Sequence, residues 1–146
     1  MEPRYQVQLK IRKPAAEVFE AIVRPEKLSR YFVQAASGPL VEGATVRWRF
    51  AEVPGEHDVL VRQVVKDQRL VLEWNSPAGD HKLEVEMTFQ PLDAGASMVQ
   101  ISERGWRETP ADIRSSYGNA GGWMHMMCCL KAYLEYGINL RAGGAR

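Results

Sequence analysis

The chain has 146 residues and a formal net charge of +1, which suits one domain and gives no reason to expect nucleic acid or an anionic membrane as partner. Its composition is that of an ordinary globule, and no apolar run approaches the ~20 residues of a membrane span. Met1-Glu2-Pro3-Arg4 has no apolar signal-peptide core behind it.

Tyr5 to Ile11 alternates apolar and polar residues at period two, the pattern of a half-buried strand. Pro14 ends it and suits the first turn of a helix, on which Val18, Phe19, Ile22 and Val23 share a face. Pro25 breaks that helix and starts a second short one, with Leu28, Tyr31 and Phe32 apolar. Ala35 to Gly43 has loop composition, punctuated by Gly38-Pro39. Strand signals then follow in series: Val46, Trp48 and Phe50; Val59 to Val65; Leu70, Leu72 and Trp74; Leu83, Val85, Met87 and Phe89; Val99 and Ile101. The connections are short and hold no helix, so these strands predict an antiparallel meander with one wet and one covered face.

Thr109-Pro110-Ala111-Asp112 reads as a helix start, with Thr as cap, Pro at the first position and a carboxylate three residues after the cap. Gly118, Gly121 and Gly122 weaken a helix by roughly 1 kcal/mol each relative to Ala. The expectation is therefore a short helical turn near residues 110–117, a flexible joint, and a main helix from about 121 to 140. On that helix Trp123, Met126, Met127, Leu130, Tyr133, Leu134 and Ile138 recur at helical spacing and fall on one face. Residues 1–140 form the expected domain, and 141–146 a short basic tail that frays. The adjacent Cys128 and Cys129 project about 100° apart on a helix, which disfavours a disulfide and suits a reduced, cytoplasmic protein.

Four segments carry a family resemblance. Pro14-Ala-Ala-Glu-Val-Phe19 is similar to an opening Pro-x-x-x-Val/Leu-Phe/Trp pattern, and Pro25-Glu-Lys-Leu-Ser-Arg-Tyr-Phe32 to Pro-Glu-x-Leu-x-x-Trp-Phe, with Tyr31 where Trp is usual. Glu103-Arg-Gly-Trp106 resembles a Glu-x-Gly-Phe/Trp strand end, and Gly122-Trp123 followed by Leu130-Lys-Ala-Tyr-Leu-Glu135 resembles a Gly-Trp-x(6)-Leu-x-x-Tyr-Leu-Glu helix signature. In this order, over nearly the whole chain, they resemble the SRPBCC, or START-like, superfamily. The branch they look like is that of the C-terminal domain of the activator of the heat-shock protein 90 ATPase. The resemblance implies an α+β helix-grip fold: a curved antiparallel sheet wrapped around a long C-terminal helix, with two short helices after the first strand and a cavity between helix and sheet. Members of the superfamily range from small-molecule binders to cyclases and hydrolases, so the fold alone does not fix the function.

The residues expected to line such a cavity are Trp48, Phe50, Val61, Trp74, Met87, Phe89, Ile101, Glu103, Trp123, Met126, Met127 and Leu130. Aromatic rings and flexible thioethers suit an apolar or amphipathic ligand; core filling is the preferred reading for the tryptophans, and for the methionines the two readings stand level. Glu103 continues the apolar phase of Val99 and Ile101, so period two sends it inward, where a carboxylate needs a partner. The competing and preferred expectation is that the strand ends there and Glu103 reaches solvent or a nearby Arg. His125 is expected on the flank or in solvent, about 200° round the helix from Trp123. No phosphate-binding loop, dinucleotide fingerprint, nucleophile elbow or zinc-ligand spacing is present, so no cofactor and no metal is expected. The leading expectation is a binding protein for a small hydrophobic or amphipathic molecule, with the Gly118–Gly122 joint gating entry. The alternatives are a co-chaperone-like protein-interaction module, as the family resemblance implies, and, ranked last, a cyclase- or hydrolase-type enzyme using Glu103 with Tyr133 or His125; whether the chain forms a homodimer is left open.

Overall fold

The computed structural model describes residues 3–142. Strand β1 (Arg4–Ile11) is followed by helices α1 (Ala15–Val23) and α2 (Pro25–Leu28). Five further strands and one short one complete the sheet: β2 (Ala35–Ala36), β3 (Thr45–Arg49), β4 (Glu56–Val65), β5 (Arg69–Asn75), β6 (Lys82–Asp93) and β7 (Ala96–Arg104). Helix α3 (Pro110–Tyr136) ends the fold. The seven strands lie in the order β1-β7-β6-β5-β4-β3-β2, every neighbouring pair antiparallel. This curved open sheet gripping a long helix is the α+β architecture the resemblance implies. The loop expected over residues 35–43 contributes β2, which pairs Ala35 with Arg49 and Ala36 with Trp48.

Alternation does what period two requires. Val85, Met87 and Phe89 on β6 and Val99 and Ile101 on β7 are buried beneath α1 and α3. On the outer face Glu86 and Glu84 of β6 pair as ions with Arg69 of β5 and Arg104 of β7. A register shift between Val61 and Gln63 in β4 marks a bulge, which bends that strand.

Helix α3 departs from expectation at both ends. It runs unbroken through Gly118, Gly121 and Gly122, with no joint between residues 117 and 121. The glycines reduce helix propensity, but the apolar positions Trp123, Met126, Met127 and Leu130, buried against the sheet, hold the helix together. It stops at Tyr136 rather than near 140, because Gly137 takes a left-handed φ of 68° and the Ile138 N–H turns back to the Ala132 carbonyl at 3.2 Å. Ile138 is therefore off the helix and 51% exposed.

Both ends of α3 are tied to the sheet side. At the start, the Asp112 N–H donates to Thr109 Oγ1 at 3.1 Å, and Asp112 Oδ2 accepts the Arg107 N–H at 2.7 Å. His81, just before β6, bridges this cap to the β5–β6 turn. Its Nδ1 lies 2.7 Å from Asp80 Oδ1, and its Nε2 sits 3.1 Å from Asp112 Oδ2 without hydrogen-bond alignment. At the other end, Glu135 accepts from the Arg12 N–H at 2.9 Å, Arg12 Nε at 2.8 Å and Lys131 Nζ at 2.7 Å. Burial opposes the Glu135 charge, but these donors outweigh it and hold its pKa down at about 2.

Candidate functional site

Five aromatic side chains meet under the N-terminal half of α3. Trp48 is the hub, 1% exposed, with Phe32 at 5.7 Å and Trp74 at 6.1 Å between ring centroids, both edge-on. Phe50 meets Phe32 at 5.1 Å, and Trp123 tilts over Trp74 at 5.3 Å. Edge-on and tilted packing suits the ring quadrupoles; Phe50 and Trp74 are half-buried, while Trp48, Trp123 and Phe32 are buried behind and beside them.

The opposite wall is built largely of glycine. Gly118, Gly121 and Gly122 recur three and one apart, with His125 three further on, so they form one stripe of α3. A Cβ built at any of the three glycines meets nothing within 4 Å. A cavity of about 450 Å³ lies between this stripe and the aromatic wall, lined by Phe32, Phe50, Val53, Trp74 and Trp123, with Glu52, Asn119, His125 and Arg141 as its polar groups. The three glycines lower helix propensity by roughly 3 kcal/mol together, and no close approach of another element demands them.

The rim is set by an ion pair distant in sequence. Arg141 donates to Glu52 at 2.5 Å, with both side chains less than a fifth exposed, at 16% and 17%. Its guanidinium lies 5.9 Å from the Phe32 ring centroid and 3.5 Å from His125 Nδ1. Arg141 is thus held across the cavity rather than frayed, while residues 143–146 of the expected tail lie outside the described residues.

Behind the wall sits Glu103, fully buried. The preferred expectation that it reaches solvent or an arginine does not hold, because β7 runs one residue further and β1 and α3 close over it. Its Oε1 accepts from the Tyr5 hydroxyl and from Asn119 Nδ2 at 3.1 Å; its Oε2 accepts from Trp74 Nε1 at 2.8 Å. Tyr5 faces Glu103 directly across the β1–β7 ladder. Burial, the Glu103 charge and their hydrogen bond push the Tyr5 phenol well above its ordinary pKa, so it stays a donor.

Of the residues the sequence points to, Phe50, Trp74 and Trp123 line the cavity, and Glu103 supports it from behind. Trp48, Val61, Met87, Phe89, Ile101, Met126, Met127 and Leu130 instead fill the packed core, each 3% exposed or less. Met126, Met127 and Leu130 give that part of α3 full-sized side chains that pack into the core, whereas the cavity lies along its glycine stripe. Tyr133 stacks on Tyr31 at 5.4 Å and is not a partner of Glu103. His125 lines the cavity rather than facing away, because the open side of α3 here is the cavity side. Sequence reasoning treats the glycines as a hinge and passes over Asn119, Glu52 and Arg141. The 118–121–122–125 spacing was the available signal. Cys129 is buried in the core and Cys128 half-buried, both as free thiols. Among the described residues no group of His, Cys, Asp and Glu is arranged to hold a metal, and no helix is long and apolar enough to cross a membrane.

Residues 12–135 match the family described as Activator of Hsp90 ATPase homolog 1-like protein. The chain belongs to that family. Its fold is also that of several solved structures. The protein SSP2350 from Staphylococcus saprophyticus superposes with a TM-score of 0.81 at 24% identity, over 95% of this chain and 96% of that one. The Aha1 dimer from Colwellia psychrerythraea gives 0.76 at 19% identity, over 92% and 98%. DynU16, a putative protein in the dynemicin biosynthetic locus, gives 0.80 at 23% identity, over 94% of this chain and 49% of that one. Identities this low establish the shared fold and nothing finer. No curated protein matches the chain at a significant level.

Proposed function

We propose that this member of the Activator of Hsp90 ATPase homolog 1-like family binds a small apolar or amphipathic molecule in the cavity under the N-terminal half of α3. The observation that carries this is the pairing of an aromatic wall, Phe32, Phe50, Trp74 and Trp123, with a bare glycine stripe. A volume of about 450 Å³ falls within the range of small-molecule sites, roughly 300–1,000 Å³, which are largely apolar with a few placed polar groups. Here those groups are Asn119, His125 and the Arg141–Glu52 pair. The enzymatic alternative draws no support from Glu103, which is fully buried behind Trp74 and Asn119 and does not itself line this cavity.

Native mass spectrometry of the purified protein, before and after exposure to a small-molecule extract of its host, tests the proposal. The expected result is a discrete added mass that is lost on denaturation and absent in Gly122→Leu, whose side chain enters the cavity. A bare protein mass in both samples overturns it.

A further inference from the structure

Glu103 does more than fill a polar gap. Both of its oxygens are occupied, and two of its three donors, Trp74 and Asn119, are cavity-wall residues. A carboxylate only accepts hydrogen bonds, and an indole N–H only donates. Asn119 carries one group of each kind, so its orientation is set by what faces it. With Nδ2 committed to Glu103 at 3.1 Å, the atom left over is Oδ1, which has no protein partner among the described residues. At the far rim Arg141 offers the opposite chemistry, a guanidinium that donates from Nη2 to Glu52 and brings Nη1 to 3.5 Å from His125 Nδ1.

We infer that Glu103 is a positioning residue that sets the ligand preference of the cavity, by holding the Asn119 amide so that its carbonyl oxygen faces the ligand. The ligand class is then an apolar ring system that bears a hydrogen-bond donor, a hydroxyl or N–H, at the Asn119 end. This rests on the binding proposal above and adds a polarity to it.

The logic predicts an inversion. In Glu103→Gln the new side chain has the same shape with one acceptor replaced by an amide NH₂. Trp74 can only donate, so the new carbonyl must stay with Trp74 and the new NH₂ must face Tyr5 and Asn119. The Tyr5 hydroxyl can turn to accept, and Asn119 must flip its amide to accept as well. Its NH₂ then faces the cavity, and the site favours an acceptor.

The test uses two probes of one ring system, 2-naphthol, which has a donor, and 2-acetylnaphthalene, which has only an acceptor. Both are titrated by NMR into the ¹⁵N-labelled full chain, following the Trp74, Trp123 and Asn119 side-chain signals. One well-made hydrogen bond corresponds to a discrimination of about tenfold. The expected result is that the ratio of the two affinities, naphthol over ketone, falls at least tenfold from the wild type to Glu103→Gln. A purely structural role for Glu103 moves both affinities together and leaves the ratio unchanged, and that outcome overturns the inference while the binding proposal stands. Failure of both probes to bind the wild type overturns the ligand class inferred here, while the binding proposal itself stands or falls on the mass-spectrometric test above. Asn119→Ala is the second variant, retaining Tyr5 and Trp74 on Glu103. It is expected to abolish the preference for 2-naphthol, and retention of that preference refutes the assignment to Asn119.

Discussion

Replacing the three cavity glycines by alanine, Gly118→Ala, Gly121→Ala and Gly122→Ala together, should stabilise this protein. Within a helix, Gly→Ala gains about 0.4–1 kcal/mol where the backbone accepts a side chain, mainly by restricting the unfolded chain. All three positions lie inside α3, and at each an added Cβ has nothing within 4 Å. No steric penalty offsets the gain, so the triple variant should be about 1–3 kcal/mol more stable. For a chain of this size 1 kcal/mol moves the midpoint by roughly 2–4 °C, which places the expected rise at about 2–12 °C. Differential scanning calorimetry, checked against urea titration, measures it. The same three methyl groups intrude on the cavity, so any ligand captured by the wild type should be bound more weakly by the more stable variant. An unchanged or lowered midpoint would refute the reasoning, since it requires either a flexible joint at these residues or side-chain contacts absent from the structure.

Two further outcomes follow from the anchors of the fold. The Glu135 carboxyl, held at about 2 in the folded state against 4.5 for its ordinary value, contributes stability that is complete above pH ~4.5 and is lost as the pH falls toward ~2. Urea titrations across that range should show about 1–2 kcal/mol of this loss in the wild type, discounted because Arg12 is 60% exposed, and little of it in Glu135→Gln. Parallel pH curves for the two proteins would contradict the assignment. Gly105 has a φ of +103°, and a Cβ there would meet the Lys82 carbonyl oxygen at 2.8 Å. Gly105→Ala should therefore cost about 2–4 kcal/mol in the same assay, through backbone strain and a clash with main chain that cannot turn away. A loss below about 0.5 kcal/mol would show that the strand end relaxes freely.

Much of this protein is legible in local periodicity. Alternation at period two marks the strands and their inward residues, and three-and-four spacing marks α1 and the buried side of α3. These patterns are legible because they depend only on the repeat of the element and on which face meets water. The Thr109-Pro110 start of α3 is legible for the same reason, since a cap acts within one turn. The glycine stripe was visible too, but its meaning was not: propensity alone reads Gly118, Gly121 and Gly122 as a break, and only burial of Trp123, Met126, Met127 and Leu130 shows that packing overrides it.

The site belongs to tertiary structure. Period two turns Glu103 inward, but its partners Tyr5, Trp74 and Asn119 come from two other strands and a helix, up to 98 residues away. Glu52 and Arg141 are 89 residues apart and meet only because the chain turns back after Gly137. Sequence by itself determined the order of the main strands and helices and most of the apolar residues they bury, because apolar spacing is a one-dimensional property. Where the interior stays empty, and which polar groups face that space, was decided in three dimensions, because a cavity is defined by side chains that fail to meet.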